Sequence, residues 1–218
     1  MTHLKRQGIG KFWPIKRKGT TYLAVATHNQ KESIPLVVVL RDVLKIIRNK
    51  KELQRILNEK QVLINQKEIR ETNYPIGIFD KISLISAKKY YTARLSENKK
   101  MVFEEISAKD AETRTYRVMD KKILRGKKTQ LNLGQGKNIL SDEKVNIGDS
   151  MILNLKDDKI KKVIPMEKGK NGYVIHGKHA GISGNIEDII ERGGKKLARI
   201  LKDKEKINVW IKNIIMIE

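Results

Sequence analysis

Cysteine is absent from the 218 residues, and proline, phenylalanine and tryptophan occur only 4, 3 and 2 times. Without thiols there is no disulfide framework, no thiolate metal site and no cysteine nucleophile, and a reducing compartment is permitted. Acidic side chains are the minority sign, 25 against 47 Lys+Arg, for a formal charge of +22. Long apolar runs are missing too. The longest, Ile34 to Leu40, is too short to cross a bilayer, and the opening Met1 to Arg6 leads into Gly8, Lys11 and Pro14 without the apolar stretch of a signal peptide. A soluble, intracellular chain is expected. Neither a lipidation signature nor a basic amphipathic helix standing apart from a core is present, which argues against a membrane partner.

What is present is material for small cores under a large charged surface. Apolar residues make up 39% and charged residues 33% of the chain, against averages of about 45–50% and 25%. The length allows one large or two to three small units. A charge of +22 makes the free protein repel itself, so a polyanionic partner is the economical explanation, nucleic acid before a membrane surface.

The charge is concentrated early. Residues 1–70 carry 16 basic and 5 acidic side chains, residues 71–165 carry 20 and 13, and residues 166–218 carry 11 and 7. Lys5, Arg6, Lys11, Lys16, Arg17 and Lys18 fall within residues 1–18, where no acid occurs. This reads as a basic arm that phosphates would order on binding. Phe12, Trp13, Pro14 and Ile15 interrupt it, and Trp13 is expected to pack on the neighbouring domain rather than to stack on a base.

From Ile34 onward, Leu36, Val39, Leu40, Val43, Leu44 and Ile47 recur at helical spacing, with Arg41, Lys45 and Arg48 on the other face. Asn49 followed by Glu52 has the form of a capping signal, and Leu53, Ile56 and Leu57 mark a second, shorter helix. Val62–Ile64, the turn Asn65-Gln66 and Lys67–Arg70 read as strand, tight turn and return strand. Exposed helix faces are often charged for solubility alone, but Lys50, Lys51, Arg55, Lys60, Lys67 and Arg70 add to the same small unit, and clustered positive charge marks phosphate binding.

Alternating stretches follow at Tyr90–Leu95, Met101–Ile106, Tyr116–Met119, Gln130–Leu133 and Ser150–Leu155, with Gly126, Gly134, Gly136 and Gly148 at expected turns. Gly134-Gln135-Gly136-Lys137-Asn138 is not a phosphate loop, because Leu131 stands where the first glycine is needed and Asn138 where Ser or Thr is needed. Residues 172–189 alternate, pass through a glycine-rich turn and alternate again. Lys178 and His179 lie at its tip, where glycines let the backbone approach a phosphate. His176 and His179 form H-x-x-H without a third ligand of the usual kinds, so no metal is expected. Trp210, in the apolar close Val209 to Ile217, reads as core or interface. No converging nucleophile, base, carboxylate pair or metal is visible, so no catalytic residues and no cofactor are expected.

Two local resemblances emerge. Val62 to Gln66 after two short helices, ending in Phe79-Asp80-Lys81-Ile82-Ser83-Leu84, resembles a compact RNA-binding module shared by a bacterial small-subunit ribosomal protein, some pseudouridine synthases and certain tRNA synthetases. That module usually has Asn-Gly at the turn and Gly-Asp before the last strand, where this chain has Asn65-Gln66 and Phe79-Asp80. Gly177-Lys178-His179-Ala180-Gly181 is similar to a short β motif of many ribosomal proteins and of a transcription elongation factor family, in which a small barrel exposes a basic loop.

The order of these segments resembles, over nearly the whole chain, the archaeal and eukaryotic small-subunit ribosomal protein family of the four-e type. It includes His3-Leu4-Lys5-Arg6, Trp13-Pro14, Ser33-Ile34-Pro35-Leu36, Leu40-Arg41-Asp42, Tyr74 to Ser83 and Asn213 to Ile217. The Ile- and Lys-rich composition points to an archaeal source. The resemblance implies an α+β fold: a basic arm at 1–33, a helix–helix–sheet RNA-binding module at 34–87, a central β domain at 88–165 and an SH3-like β-barrel at 166–218. It implies a cytoplasmic, ribosome-bound, non-enzymatic protein whose partners are small-subunit rRNA and neighbouring small-subunit proteins, with no small-molecule substrate. The expected rRNA contacts are Lys5, Arg6, Lys11, Arg17, Arg41, Lys45, Arg48, Lys51, Lys67, Arg70, Lys178 and His179. The rival readings are a free translation or transcription factor that touches RNA or ribosome transiently, and an rRNA-modifying enzyme.

Overall fold

The computed structural model describes residues 3–125, 128–141, 143–202 and 205–217, in two compact units, Met1–Glu112 and Thr113–Glu218. Strands dominate, and among the described residues every strand pairing is antiparallel.

In the first unit, β1 (Leu4–Lys5) pairs with β2 (Tyr22–Leu23). The arm between them is held down rather than loose. Trp13 is only 3% exposed, the Phe12 carbonyl accepts from the Met101 N–H at 2.8 Å, and Lys100 Nζ donates to the Trp13 carbonyl at 3.1 Å. An arm expected to order only on RNA thus has an apolar anchor of its own.

The next segment runs from β3 (Ile34–Pro35) into α1 (Leu36–Val38) and a π-helical turn at Val39–Val43. The long first helix expected from the spacing does not form. Leu44 N–H reaches back to the Val39 carbonyl, and Lys45 takes φ 55°, a left-handed conformation that stops a helix. Leu36, Val39, Leu40 and Ile47 are buried all the same, with Val43 and Leu44 half-buried. The second helix, α2 (Lys50–Asn58), forms as its capping signal predicts. Asn49 Oδ1 accepts from the Glu52 N–H at 2.9 Å, and the Glu52 carboxylate accepts from the Arg48 N–H at 2.8 Å. Leu53 and Leu57 are buried, each burial contributing about 1.5–3 kcal/mol.

β4 (Val62–Ile64), β5 (Lys67–Glu68), β6 (Pro75–Ile76), β7 (Lys81–Leu84), β8 (Lys89–Leu95) and β9 (Met101–Ile106) follow. β6 pairs with β3, and the others form a sheet in the order β5–β4–β7–β8–β9. The strands at 89–95 and 101–106 therefore complete the first sheet, with Ile82 opposite Tyr91, instead of opening a central domain at residue 88. The expected boundary differs because alternation announces a strand but not its neighbour.

The second unit opens with β10 (Thr113–Ile123), which serves two partners. Residues Thr113–Arg117 lie opposite β13 (Ser150–Asn154), and Val118–Ile123 lie opposite β11 (Thr129–Leu133), with a bulge between Val118 and Asp120. With β12 (Asn138–Leu140) and β14 (Ile160–Ile164) the order is β12–β11–β10–β13–β14, over a core that includes Val118, Leu131, Met151 and Leu153. The turn expected at Gly126 lies outside the described residues, while Gly136 and Gly148 do occupy positive φ, 77° and 103°.

β15 (Asn171–Val174), β16 (Ser183–Arg192), β17 (Lys195–Lys202), β18 (Glu205–Trp210) and β19 (Ile214–Met216) make another sheet in the order β18–β17–β16–β15–β19. The expected SH3-like barrel is not closed. Among the described residues no ladder joins β18 to β19, because the single 3-10 turn Ile211–Asn213 carries the chain to the free edge of β15. The two sheets of this unit are tied where the Met216 N–H donates to Ser150 Oγ at 2.8 Å and where Arg117 donates to the Lys212 carbonyl.

Candidate nucleic-acid interface

The expected contact residues divide into those the fold consumes and those it presents. Arg6 is consumed: Nε donates to the Thr20 carbonyl at 2.8 Å, Nη1 to the Lys16 carbonyl at 2.7 Å and Nη2 to Thr20 Oγ1 at 2.9 Å. Arg41 makes a two-point contact with Asp42, at 2.9 and 2.8 Å. The hydrogen bond to Asp42 holds its guanidinium above its ordinary pKa, against the opposing effect of partial burial. Both arginines have lost much of their freedom to meet a phosphate.

The remaining expected cations of the first unit are exposed: Lys5 in β1, Lys11 and Arg17 in the arm, Lys45 after the π turn, Arg48 before α2, Lys51 in its first turn, Lys67 in β5 and Arg70 just beyond. Local geometry draws several together. Gln54, one turn after Lys51, donates from Nε2 to the Arg70 carbonyl at 3.3 Å, which lays the segment after β5 along the outward side of α2. Arg55, four residues after Lys51, is exposed on the same helix and belongs with this group, although the initial set of contacts omits it. The helical spacing is the signal that finds it. The arm ends beside the same segment, with Thr27 Oγ1 donating to Glu71 at 2.8 Å.

The turn that sets β5 is rigid. Asn65 and Gln66 both take positive φ, 51° and 62°, as a two-residue hairpin turn requires. Phe79 takes φ 63° at the other position where the RNA-binding module usually has glycine. Asp80, 6% exposed, organises both turns: its carboxylate accepts from Asn65 Nδ2 at 2.6 Å and from the Gly77 N–H at 2.5 Å, while Asn65 Oδ1 accepts from the Lys81 N–H at 3.0 Å. This buried carboxylate has a structural task.

In the second unit, Lys178 is exposed and His179 half-buried in the loop between β15 and β16. Gly177 and Gly181 take φ 96° and 92°, and the Gly181 N–H donates to the Val174 carbonyl at 2.8 Å. Two further arginines lie inside the fold. Arg114 sits 4.7 Å from the centre of the Tyr116 ring and donates to Gln135, and Arg117 is 5% exposed, with burial pushing its pKa down. Neither burial is signalled by alternation alone.

The chain is similar to known proteins. The chain is 35% identical to the small ribosomal subunit protein eS4 of Methanosphaera stadtmanae, over 94% of this chain and 86% of that one. The chain belongs to the S4e family of ribosomal proteins. The sequence pattern described as Ribosomal family S4e matches residues 87–160. Another S4e relative, the eS4 protein of Nanoarchaeum equitans, is 29% identical over 98% of this chain and 94% of its own. The crystal structure of the 30S ribosomal protein S4e from Thermoplasma acidophilum superposes with a TM-score of 0.73 at 26% identity, covering 85% of this chain and 95% of that one.

Proposed function

We propose that the chain is a structural, non-catalytic component of the small ribosomal subunit in the cytoplasm. In this role it binds folded rRNA through phosphates and lies beside neighbouring small-subunit proteins. The named relatives support the particle. The observation that carries the RNA contact is the sign of the charge at the start of α2. Lys50 and Lys51 occupy its first two positions, ahead of the capping Glu52, and there positive charge opposes the helix dipole. Helix stability does not account for them, whereas a phosphate accepts both the lysines and the dipole.

Lys45, Arg48, Lys51, Arg55, Lys67 and Arg70 would neutralise phosphates and release counterions, with a salt slope of about 0.7–0.9 per contact. Lys5, Lys11 and Arg17 extend the surface along the arm, and Lys178 with His179 offers a separate contact in the second unit. Such a set reads the shape of a folded RNA rather than its sequence.

The test is Arg48→Glu combined with Lys51→Glu. Glutamate in the first turn suits the dipole, so the circular dichroism spectrum stays unchanged. Affinity for small-subunit rRNA should fall at least about tenfold, the salt slope should drop by about 1.4–1.8, and incorporation into particles should weaken. Normal incorporation at unchanged affinity would contradict the reading.

A further inference from the structure

We infer that the row Ile190, Leu197 and Trp210, on the outer face of the β15–β19 sheet, is a platform on which an unpaired RNA base stacks; this rests on the RNA-binding reading above. The row follows from register. Ile189 lies opposite Ala198 and Ala198 opposite Val209; Ala198 and Val209 are buried in the core, with Ile189 packed against it. Successive side chains on a strand point to opposite faces. The next residues, Ile190 opposite Leu197 and Leu197 opposite Trp210, therefore stand on the face turned away from the core. Trp210 is 43% exposed there, in contrast to the buried Trp13.

Charge selects the occupant. Arg192 lies two residues beyond Ile190 and Arg199 two beyond Leu197, so on the same face an arginine stands on either side of the row. Arg199 makes a long contact, 3.4 Å, to Asn208 and stands directly opposite Asp188, whose carboxylate its charge favours. The nearest acid on that face, Asp188, is already taken by Lys168 at 2.6 Å. An exposed indole beside two aliphatic side chains and near cations supplies the two elements of single-strand recognition: an aromatic surface for a base and positive charge for the phosphates on either side. Asp188 alone faces Lys168, Arg192 and Arg199, so the face keeps a net positive charge that favours a polyanion over a protein surface.

The experiment compares the full chain with Trp210→Leu and Trp210→Tyr, using a single-stranded oligouridylate of about twelve nucleotides and a blunt RNA duplex of the same length as probes. Trp210→Leu should lose about tenfold in affinity for the single strand and little for the duplex, while Trp210→Tyr keeps most of the affinity. In the unsubstituted chain the single strand, and not the duplex, should quench tryptophan emission, a readout that needs no variant to fold. Equal affinity of Trp210→Leu and the parent for the single strand, or equal losses on both probes, would overturn the platform and leave the phosphate contacts standing. A parent chain that binds neither probe nor small-subunit rRNA would overturn both readings.

Discussion

The guanidinium of Arg6 is tied to Thr20 through both the backbone and the side chain, with Nε on its carbonyl at 2.8 Å and Nη2 on its hydroxyl at 2.9 Å. Arg6 therefore shapes the arm that presents Lys11 and Arg17. Arg6→Ala should speed amide hydrogen exchange across residues 4–23 by at least about tenfold, the loss of roughly one charged hydrogen bond. Arg6→Lys should not restore it, because an ammonium lacks the fork that reaches both residues. Unchanged exchange in Arg6→Ala would show that Trp13 alone holds the arm.

Lys45 carries two demands that one substitution separates. Its φ of 55° costs a side chain about 1 kcal/mol that glycine avoids. Lys45→Gly should raise the thermal midpoint by about 2–4 °C while lowering rRNA affinity. A midpoint that falls would mean that the lysine stabilises the unit by a route other than charge.

Not every glycine is replaceable at the same cost. A Cβ on Gly184, opposite Gly172 in the β15–β16 pairing, would fall within 2.8 Å of Ile200 Cγ2 and would also run into the Leu201 carbonyl. Gly184→Ala should destabilise the second unit by about 1–3 kcal/mol in denaturant unfolding. Gly193→Ala meets open space and should cost only its φ of 58°, about 1 kcal/mol. Equal costs at the two positions would contradict the packing described.

The local parts of this fold are legible in the sequence. Asn49 and Glu52 announce the start of α2, and the turn at Asn65-Gln66 is readable between its two strands. What fails is whatever depends on a distant partner. The spacing of Leu36 to Ile47 is helical, yet Lys45 turns left-handed and the helix ends early. Gln66 and Phe79 occupy positive φ without glycine, sustained by the buried Asp80 fifteen residues from Asn65 in sequence, a pairing that no periodicity reveals. Closure of the last sheet is equally invisible, since alternation is the same at an open edge and in a barrel. The contacts suffer in the same way: Arg6 and Arg41 count as cations by composition, but Thr20, Lys16 and Asp42 have already engaged them.

Residence in the small ribosomal subunit can be followed by sedimentation. An epitope-tagged chain is followed through sucrose gradients from lysate at low and at high salt, with every fraction blotted. The chain should travel with the small subunit in stoichiometric amount and survive the salt wash, as many simultaneous phosphate contacts require. A chain that stays at the top of the gradient, or leaves the particle at modest salt, would not be a resident ribosomal protein but a transient RNA-binding factor.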